Sequence, residues 1–235
     1  MKKMSKYAIV DFRIKQEAID TLSAHFDKII KTKPINVHKS ICGHADIAVC
    51  KLNNNEISVC PSQYEYYKSE LPDINIICGS SEPAYKYPED VFFNAACNND
   101  IAVHNFQFTD KITLAVINQK FSKHINVRQG YSKCSICFIN DSVITDDDGI
   151  YNELYKNGIQ ALKINKGSVK LTGMDYGFFG GATGAFNNKL FVNGELRFHE
   201  SELLIRNFLN EKEIEIIQLK RGALEDIGSI ICLGQ

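Results

Sequence analysis

The residues of this sequence best suited to chemistry are a cysteine near the C-terminus, a histidine, and carboxylates at the starts of apolar segments. They are Cys232, His44, Asp46, Asp90 and Asp175. A thiol beside a cation ionises readily and can attack an electrophilic carbon, while a histidine can carry the proton. Carboxylates can hold a planar cation through paired hydrogen bonds. The structural alternatives are a buried strand cysteine, a hydrogen-bonded histidine, and carboxylates that cap strands or turns.

One further polar residue, Asn94, lies within an apolar run that contains Phe92, Phe93 and Ala95. A polar side chain in such a run needs an internal hydrogen-bond partner or must face a pore. The carboxylates recur at equivalent places of three repeating segments. This recurrence favours a polar lining shared by the repeats at the centre of the fold.

The elements that position these residues form a pattern that recurs roughly every 45 residues, which is the signature of a repeat architecture. A short apolar strand turns at Asn, Asp or Gly, returns as a second strand, and continues into a helix and a third strand. The sequence predicts five such first strands, at residues 46–50, 90–94, 135–139, 176–180 and 228–232. Each unit alone cannot bury its apolar face, so neighbouring units must pack on one another.

The two ends of the chain are expected to complete one unit together. Residues 7–11 and 28–32 read as strands flanking a helix, and this segment lacks a first strand. Residues 228–235 read as a first strand with nothing after it. Joining them closes a ring without an exposed sheet edge. We therefore predict one domain spanning residues 1–235, an α/β propeller of five ββαβ units closed by the N- and C-termini.

Two short runs resemble motifs of the pentein superfamily, which comprises arginine and agmatine deiminases, dimethylarginine hydrolases and amidinotransferases. The run Gly228-Ser-Ile-Ile-Cys-Leu-Gly-Gln235 is similar to the glycine-rich segment that carries the nucleophilic cysteine of agmatine deiminases. The run Gly43-His-Ala-Asp-Ile47 is similar to the Gly-His-x-Asp motif that supplies their catalytic histidine and a guanidinium-binding carboxylate. The resemblance implies a pentein fold for nearly the whole chain.

The resemblance also implies a function, namely a cysteine-dependent hydrolase or transferase acting on a guanidino or amidino small molecule at the centre of the ring. It assigns catalysis to Cys232 and His44, and substrate binding to Asp46, Asp90, Asn94 and Asp175. The alternative is a catalytically inactive pentein that binds a ligand or a macromolecule. The enzymes carry His-x-Asp in their fourth unit, where this sequence has Gly173-Met-Asp175.

Composition limits the remaining functions. The net charge of -1 argues against nucleic acid as a partner, and no apolar run is long enough to span a membrane. The apolar start at residues 7–10 is interrupted by Asp11 and Arg13, so we expect a cytoplasmic protein with free cysteines. Cys134-x-x-Cys137 lacks a second half-site, so we expect no metal and no cofactor. The oligomeric state is left open.

Overall fold

The computed structural model describes residues 5–235, which form five three-stranded sheets. The N-terminal segment contains β1 (Tyr7–Val10), α1 (Gln16–Ser23) and β2 (Lys28–Lys31). The first internal unit follows, with α2 (Ala45–Ala48), β3 (Val49–Asn53), β4 (Glu56–Val59), α3 (Tyr64–Glu70) and β5 (Asn75–Cys78). The second unit has β6 (Ala96–Asn98), β7 (Ile101–His104), α4 (Lys111–Lys120) and β8 (Lys123–Asn126).

The second half of the chain repeats the same order. The third unit has α5 (Ser132–Ser135), β9 (Ile136–Ile139), β10 (Ser142–Thr145), α6 (Asp148–Lys156) and β11 (Ala161–Lys163). The fourth unit has β12 (Thr183–Phe186), β13 (Lys189–Val192), α7 (Glu202–Glu211) and β14 (Glu215–Gln218), and the chain ends with β15 (Ile231–Leu233). In every unit the first strand is antiparallel to the second, and the second is parallel to the third.

The C-terminal strand completes the N-terminal unit, as the sequence predicts. β15 pairs with β1 in the sheet order β15-β1-β2, with Ala8 opposite Cys232. Backbone hydrogen bonds also join this unit to its neighbours on both sides, since Asp46 N–H donates to Gly228 O and Ser229 N–H donates to Gly181 O. These bonds close the ring at the first strands of the units, which we call the inner strands (β3, β6, β9, β12 and β15).

Local sequence explains where the helices start and where the hairpins turn. Helix α6 begins after Asp147, whose side chain accepts a hydrogen bond from the Ile150 N–H, and the chain turns at Gly158 with a φ of +71°. The turns after β6 and β9 carry Asn99 and Asn140 at positive φ, a conformation that asparagine tolerates better than most residues.

All five inner strands begin later than the sequence pattern predicts, although β9 begins only one residue later. The segment expected to start a strand at Asp46 begins with the helical turn α2, and β3 follows at Val49. The strands expected from residues 90, 176 and 228 begin at Ala96, Thr183 and Ile231. The residues before each strand are largely buried although they are not part of the strand, so a short buried run does not by itself mark where the strand begins. Periodicity cannot separate a helical turn from a strand over so few residues.

The inner strands share a second feature that explains much of the cysteine content. The second paired residue of the strand is a cysteine in four units and Gly184 in the fourth unit. These cysteines are Cys50, Cys97, Cys137 and Cys232. All are free thiols in buried or half-buried positions, where small apolar side chains pack between neighbouring sheets.

Among residues 5–235, no helix is long and apolar enough to cross a membrane.

Candidate functional site

Two cavities lie at opposite ends of the inner strands. The upper cavity is lined by residues that precede these strands, and its volume is about 410 Å³. The lower cavity is lined by the inner strands and their hairpin turns, and its volume is about 240 Å³. The predicted site residues divide between them. Three line the upper cavity, two lie next to its floor, and one lines the lower cavity.

His44 lines the upper cavity just before α2 and is only 3% exposed. Both of its ring nitrogens lack a hydrogen-bond partner, and Nδ1 lies 3.8 Å from Oδ1 of Asp226. Burial lowers the pKa of His44, although Asp46 opposes this shift. A neutral imidazole at this position can accept a proton or a hydrogen bond from a ligand.

The position of His44 depends on a glycine in the last unit. Gly228 has a φ of +67°, which favours glycine, and a Cβ atom there would lie 2.1 Å from the Cβ of His44. The histidine therefore packs directly on the backbone that leads to β15. The C-terminal run singled out in the sequence thus contributes to the upper cavity through Gly228.

Asp46 is fully buried in α2, beside the cavity floor. Its Oδ2 accepts hydrogen bonds from Ser229 Oγ at 2.6 Å and from Cys134 Sγ at 3.1 Å, and its Oδ1 has no partner. Burial raises the pKa of Asp46, and the nearby His44 opposes that shift. Asp46 can therefore exchange a proton with the Cys134 thiol more readily than an exposed aspartate would.

Cys134 is the thiol that lines the upper cavity. It lies in α5, is 3% exposed, and also accepts a hydrogen bond from Asn94 Nδ2 at 3.3 Å. Burial raises the pKa of Cys134 well above its ordinary value, and the carboxylates of Asp46 and Asp226 raise it further. The resting group is therefore a thiol whose proton points to a carboxylate.

Asn94 joins three units beneath the cavity. Its Oδ1 accepts hydrogen bonds from the Lys133 N–H at 2.8 Å and the Cys134 N–H at 3.3 Å, and its Nδ2 donates to the Asp46 carbonyl at 2.9 Å. The residue precedes β6 and is fully buried. These internal bonds fix Cys134 relative to Asp46 and fully occupy the amide of Asn94.

Two further predicted carboxylates line the same cavity at different depths. Asp90 is 4% exposed, and its Oδ2 accepts a hydrogen bond from the Tyr131 hydroxyl at 2.5 Å while its Oδ1 has no partner. Burial raises the pKa of Asp90, although the bond from Tyr131 lowers it. Asp175 is exposed and lies at the rim.

The walls of the upper cavity are aromatic and apolar. Tyr131 and Phe178 are stacked with their ring centroids 6.3 Å apart, and both line the cavity. Tyr85, Met174 and Tyr176 are exposed at its opening. Aromatic faces above buried carboxylates form an environment suited to a cation with an apolar portion.

Cys232 lies in the lower cavity, apart from the residues that line the upper one. Its Sγ is 3.6 Å from the carbonyl oxygen of Ile230, and burial raises its pKa to about 12 even though Lys51 and Lys133 lower it. Cys232 lies in β15 opposite Ala8 of β1, and the cavity that it lines is the one bordered by the hairpin turns. The structure therefore does not bring the predicted nucleophile and the predicted histidine into one cavity.

Sequence reasoning missed three residues of the upper cavity, namely Cys134, Tyr131 and Asp226. His44, Tyr131 and Asp226 each stand five positions before the first paired residue of an inner strand. A correct strand boundary in each repeat would have aligned them.

No three His, Cys, Asp or Glu side chains within residues 5–235 are grouped so as to hold a metal ion.

A family model matches residues 9–231, and its description is a family of unknown function (DUF6873). The chain belongs to this family. No curated protein sequence matches the chain. Family membership therefore assigns no activity, and the geometry of the cavities carries the functional argument.

Solved structures with the same fold are enzymes. The DDAH of Pseudomonas aeruginosa, a mutant in complex with citrulline, has a TM-score of 0.56 and 8% identity, and the match covers 99% of this chain and 100% of that one. The agmatine deiminase of C. jejuni has a TM-score of 0.54 and 9% identity, with coverage of 94% and 92%. A dimethylarginine dimethylaminohydrolase adduct with 4-chloro-2-hydroxymethylpyridine has a TM-score of 0.55 and 6% identity, with coverage of 92% for both chains.

These matches cover nearly the whole chain of a protein with five repeated sheets. The predicted pentein fold is therefore confirmed. The structural neighbours are guanidino-modifying hydrolases, and the resemblance in fold extends to the complete ring. At identities below 10% the comparison establishes architecture alone.

Proposed function

We propose that the upper cavity binds a small guanidino or amidino cation and that the protein is a cysteine-dependent hydrolase or transferase acting on it. The observation that carries this proposal is a set of buried polar atoms without partners, which comprises two carboxylate oxygens and the two ring nitrogens of a histidine, one of which accepts hydrogen bonds when the ring is neutral. Both ring nitrogens of His44 and Oδ1 of Asp90 are unpartnered at the cavity, and Oδ1 of Asp46 is unpartnered beside its floor. Buried polar groups in proteins are nearly always satisfied, so a ligand with several N–H donors fits this arrangement.

Charge supports the same class of ligand. Three carboxylates line the upper cavity and no lysine or arginine does, in the part of the chain that the structure describes. Bringing a cation to these groups offsets the cost of burying their charges. A guanidinium presents paired donors on each edge, which match carboxylate oxygens, and its flat face can stack on Tyr131 or Phe178.

The sequence-predicted nucleophile Cys232 and the structurally placed Cys134 are both candidates, and the geometry favours Cys134. In the first step its thiol would attack the central carbon of the amidinium while its proton passes to Asp46, the acceptor of its hydrogen bond. The C–N bond then breaks, and the amine leaves with the proton held by Asp46. Water, or an amine in a transferase, then adds to the carbon and passes a proton to neutral His44. The C–S bond breaks as that proton returns to the sulfur, which restores the Cys134 thiol, and the product loses its remaining proton to the released amine.

The structural neighbours support the general class of the proposed reaction. Their names describe hydrolysis of dimethylarginine and deimination of agmatine, and one of them holds citrulline. These compounds share a guanidino or ureido carbon bearing nitrogen substituents.

A second candidate is a protein that binds the cation without transforming it. The observation that favours it is the electrostatic setting of Cys134, because Asp46 and Asp226 both disfavour its thiolate. Within that setting a bound cation would lower the thiol pKa, which makes reactivity dependent on the ligand. The two candidates share the binding site and differ in turnover.

The experiment uses two matched variants, Cys134→Ser and Cys232→Ser, which change one sulfur atom in different cavities. Binding of agmatine, L-arginine and uncharged urea is measured by calorimetry, and ammonia or amine release is measured with the cationic compounds. We expect saturable binding of a cation, no binding of urea, and turnover that is lost in Cys134→Ser and retained in Cys232→Ser. Loss of turnover only in Cys232→Ser would instead support the nucleophile predicted from sequence.

A cationic electrophile gives an independent readout. 2-Chloroacetamidine should alkylate Cys134 first, and a bound guanidino compound should protect it, with sites mapped by mass spectrometry. Neutral iodoacetamide should show no such preference. Binding without turnover in the wild-type protein supports the second candidate, and absence of binding for every cation tested refutes both.

A further inference from the structure

The lower cavity is chemically unlike the upper one. Its lining includes the ammonium-bearing side chains of Lys51 and Lys133, three thiols, and asparagines from the hairpin turns. No aspartate or glutamate lines it within the part of the chain that the structure describes. Carboxylates therefore line the cavity at one end of the ring, and lysines line the cavity at the other end.

The two lysines are half-buried, and Lys133 lies close enough to Asp46 and Asp226 for its charge to oppose the rise in pKa that burial causes in both carboxyls. Within residues 5–235, neither Lys51 nor Lys133 forms an ion pair with a carboxylate, and Lys133 Nζ donates a hydrogen bond to Ser229 Oγ at 3.0 Å. Burial, with a smaller contribution from the neighbouring Lys133, lowers the pKa of Lys51 to about 8, although Cys232 opposes the shift. Within the described residues no carboxylate lines the cavity beside these two ammonium groups, and a bound anion would offset their mutual repulsion and the cost of burying Lys51.

The cysteines that line the lower cavity do not supply a negative charge either. Burial raises the pKa of Cys232 to about 12 and raises the pKa of Cys137, and the Cys50 thiol together with burial raises that of Cys97. These thiols are therefore neutral near pH 7. Lys189 at the rim is paired with Glu215, so neither group is available to the cavity centre.

We propose that the lower cavity is a second binding site, which holds a small oxyanion between Lys51 and Lys133. Oxygen acceptors match both the ammonium donors and the amide donors of the asparagine-rich turns. The volume of about 240 Å³ accommodates an inorganic phosphate or the carboxylate of a small organic acid. This site is distinct from the cation site, since different residues at the opposite end of the inner strands line it, and Ser229 links its Lys133 to Asp46 through two hydrogen bonds.

The proposal is tested with phosphate and acetate as separate probes, at constant ionic strength balanced with chloride. Thermal unfolding is followed for the wild-type protein, for Lys51→Met and Lys133→Met, and for the control Lys111→Met, whose lysine is exposed on α4. A ligand that binds only the folded state raises the melting temperature with saturation. We expect such a rise in the wild type and the control, and its loss in both cavity variants.

The comparison of probes identifies the source of the oxyanion. A rise with phosphate alone assigns a phosphate-type ligand, and a rise with acetate alone assigns a carboxylate. An equal response in Lys51→Met and wild type overturns the proposal. So does a response that is linear in every salt, or no response to either anion.

A second readout does not depend on the stability of a variant. The Lys51 amine, with its lowered pKa, should react with an acylating reagent at pH 8 faster than exposed lysines such as Lys111. A bound oxyanion should slow this reaction severalfold at Lys51 and leave Lys111 unchanged, as measured by peptide mass spectrometry. Equal protection of both lysines, or none at Lys51, contradicts a specific site.

Discussion

Replacing Asp90 by asparagine should weaken cation binding without weakening the fold. Oδ2 of Asp90 accepts the Tyr131 hydroxyl, and Oδ1 has no partner. The amide of Asp90→Asn can keep its oxygen on Tyr131 and place its NH₂ where Oδ1 stands. The change therefore removes one buried charge and one ligand acceptor while the internal hydrogen bond persists.

The magnitude follows from the type of interaction lost. A hydrogen bond to a charged group contributes about 1.5 to 3 kcal/mol, which corresponds to roughly a 10- to 150-fold loss of affinity. The unfolding free energy should stay level or rise at neutral pH. The reason is that burial raises the pKa of Asp90 and so penalises its ionised form in the folded state.

Calorimetry with the cation that binds the wild-type protein most tightly measures the affinity. Urea unfolding at pH 7 measures the unfolding free energy. Asp175→Asn is the matched control, because it removes a carboxylate at the exposed rim of the same cavity. Its effect on affinity should stay within about 1 kcal/mol, as for exposed charges. If Asp90→Asn destabilises the protein and leaves affinity unchanged, Asp90 is a structural residue and the cation site is misplaced.

Three further substitutions probe the upper cavity and its surroundings. Asp46→Asn removes the acceptor of the thiol proton and changes the unpartnered Oδ1, so it should lower kcat roughly 10²- to 10⁴-fold in a turnover assay and also weaken ligand binding. Gly228→Ala places a methyl group against His44, so both ligand affinity and melting temperature should fall. Asp146, whose pKa burial raises from 3.8 to about 6, costs the native state up to about 3 kcal/mol above that pH. Relative to wild type, Asp146→Asn should therefore gain up to about 3 kcal/mol of unfolding free energy as pH rises from about 4 to 7, as measured by urea unfolding of both proteins.

The ring could be predicted from sequence because it rests on repetition. Every unit must bury one face on its neighbours, so apolar segments recur at a fixed spacing whatever the details of each loop. The split unit was also visible, since residues 7–11 lack a first strand and residues 228–235 supply one. Because the two ends together make one complete unit, β15 is expected to pair with β1, as it does.

The partition of the site residues could not be predicted, because it depends on a shift of strand boundaries. The motifs that contain Cys232 and His44 each overlap a predicted first strand, but Cys232 falls within β15 whereas His44 precedes β3 by a helical turn. That turn separates the upper cavity from the lower one. Cys134 was treated in the sequence as half of a strand Cys-x-x-Cys pair, yet it lies in α5 and only Cys137 lies in β9.

A layer of hydrogen-bonded side chains separates the two cavities, and its chemistry explains their opposite charge. Lys133 Nζ donates to Ser229 Oγ, Ser229 Oγ donates to Asp46, and Asp46 accepts the Cys134 thiol above it. Donors thus lead from the lower cavity to the acceptor beside the upper one. The positive end of this chain faces the cavity without carboxylates, and the negative end faces the cavity without lysines. A cation above and an anion below would each meet the opposite charge without displacing any bond of the layer.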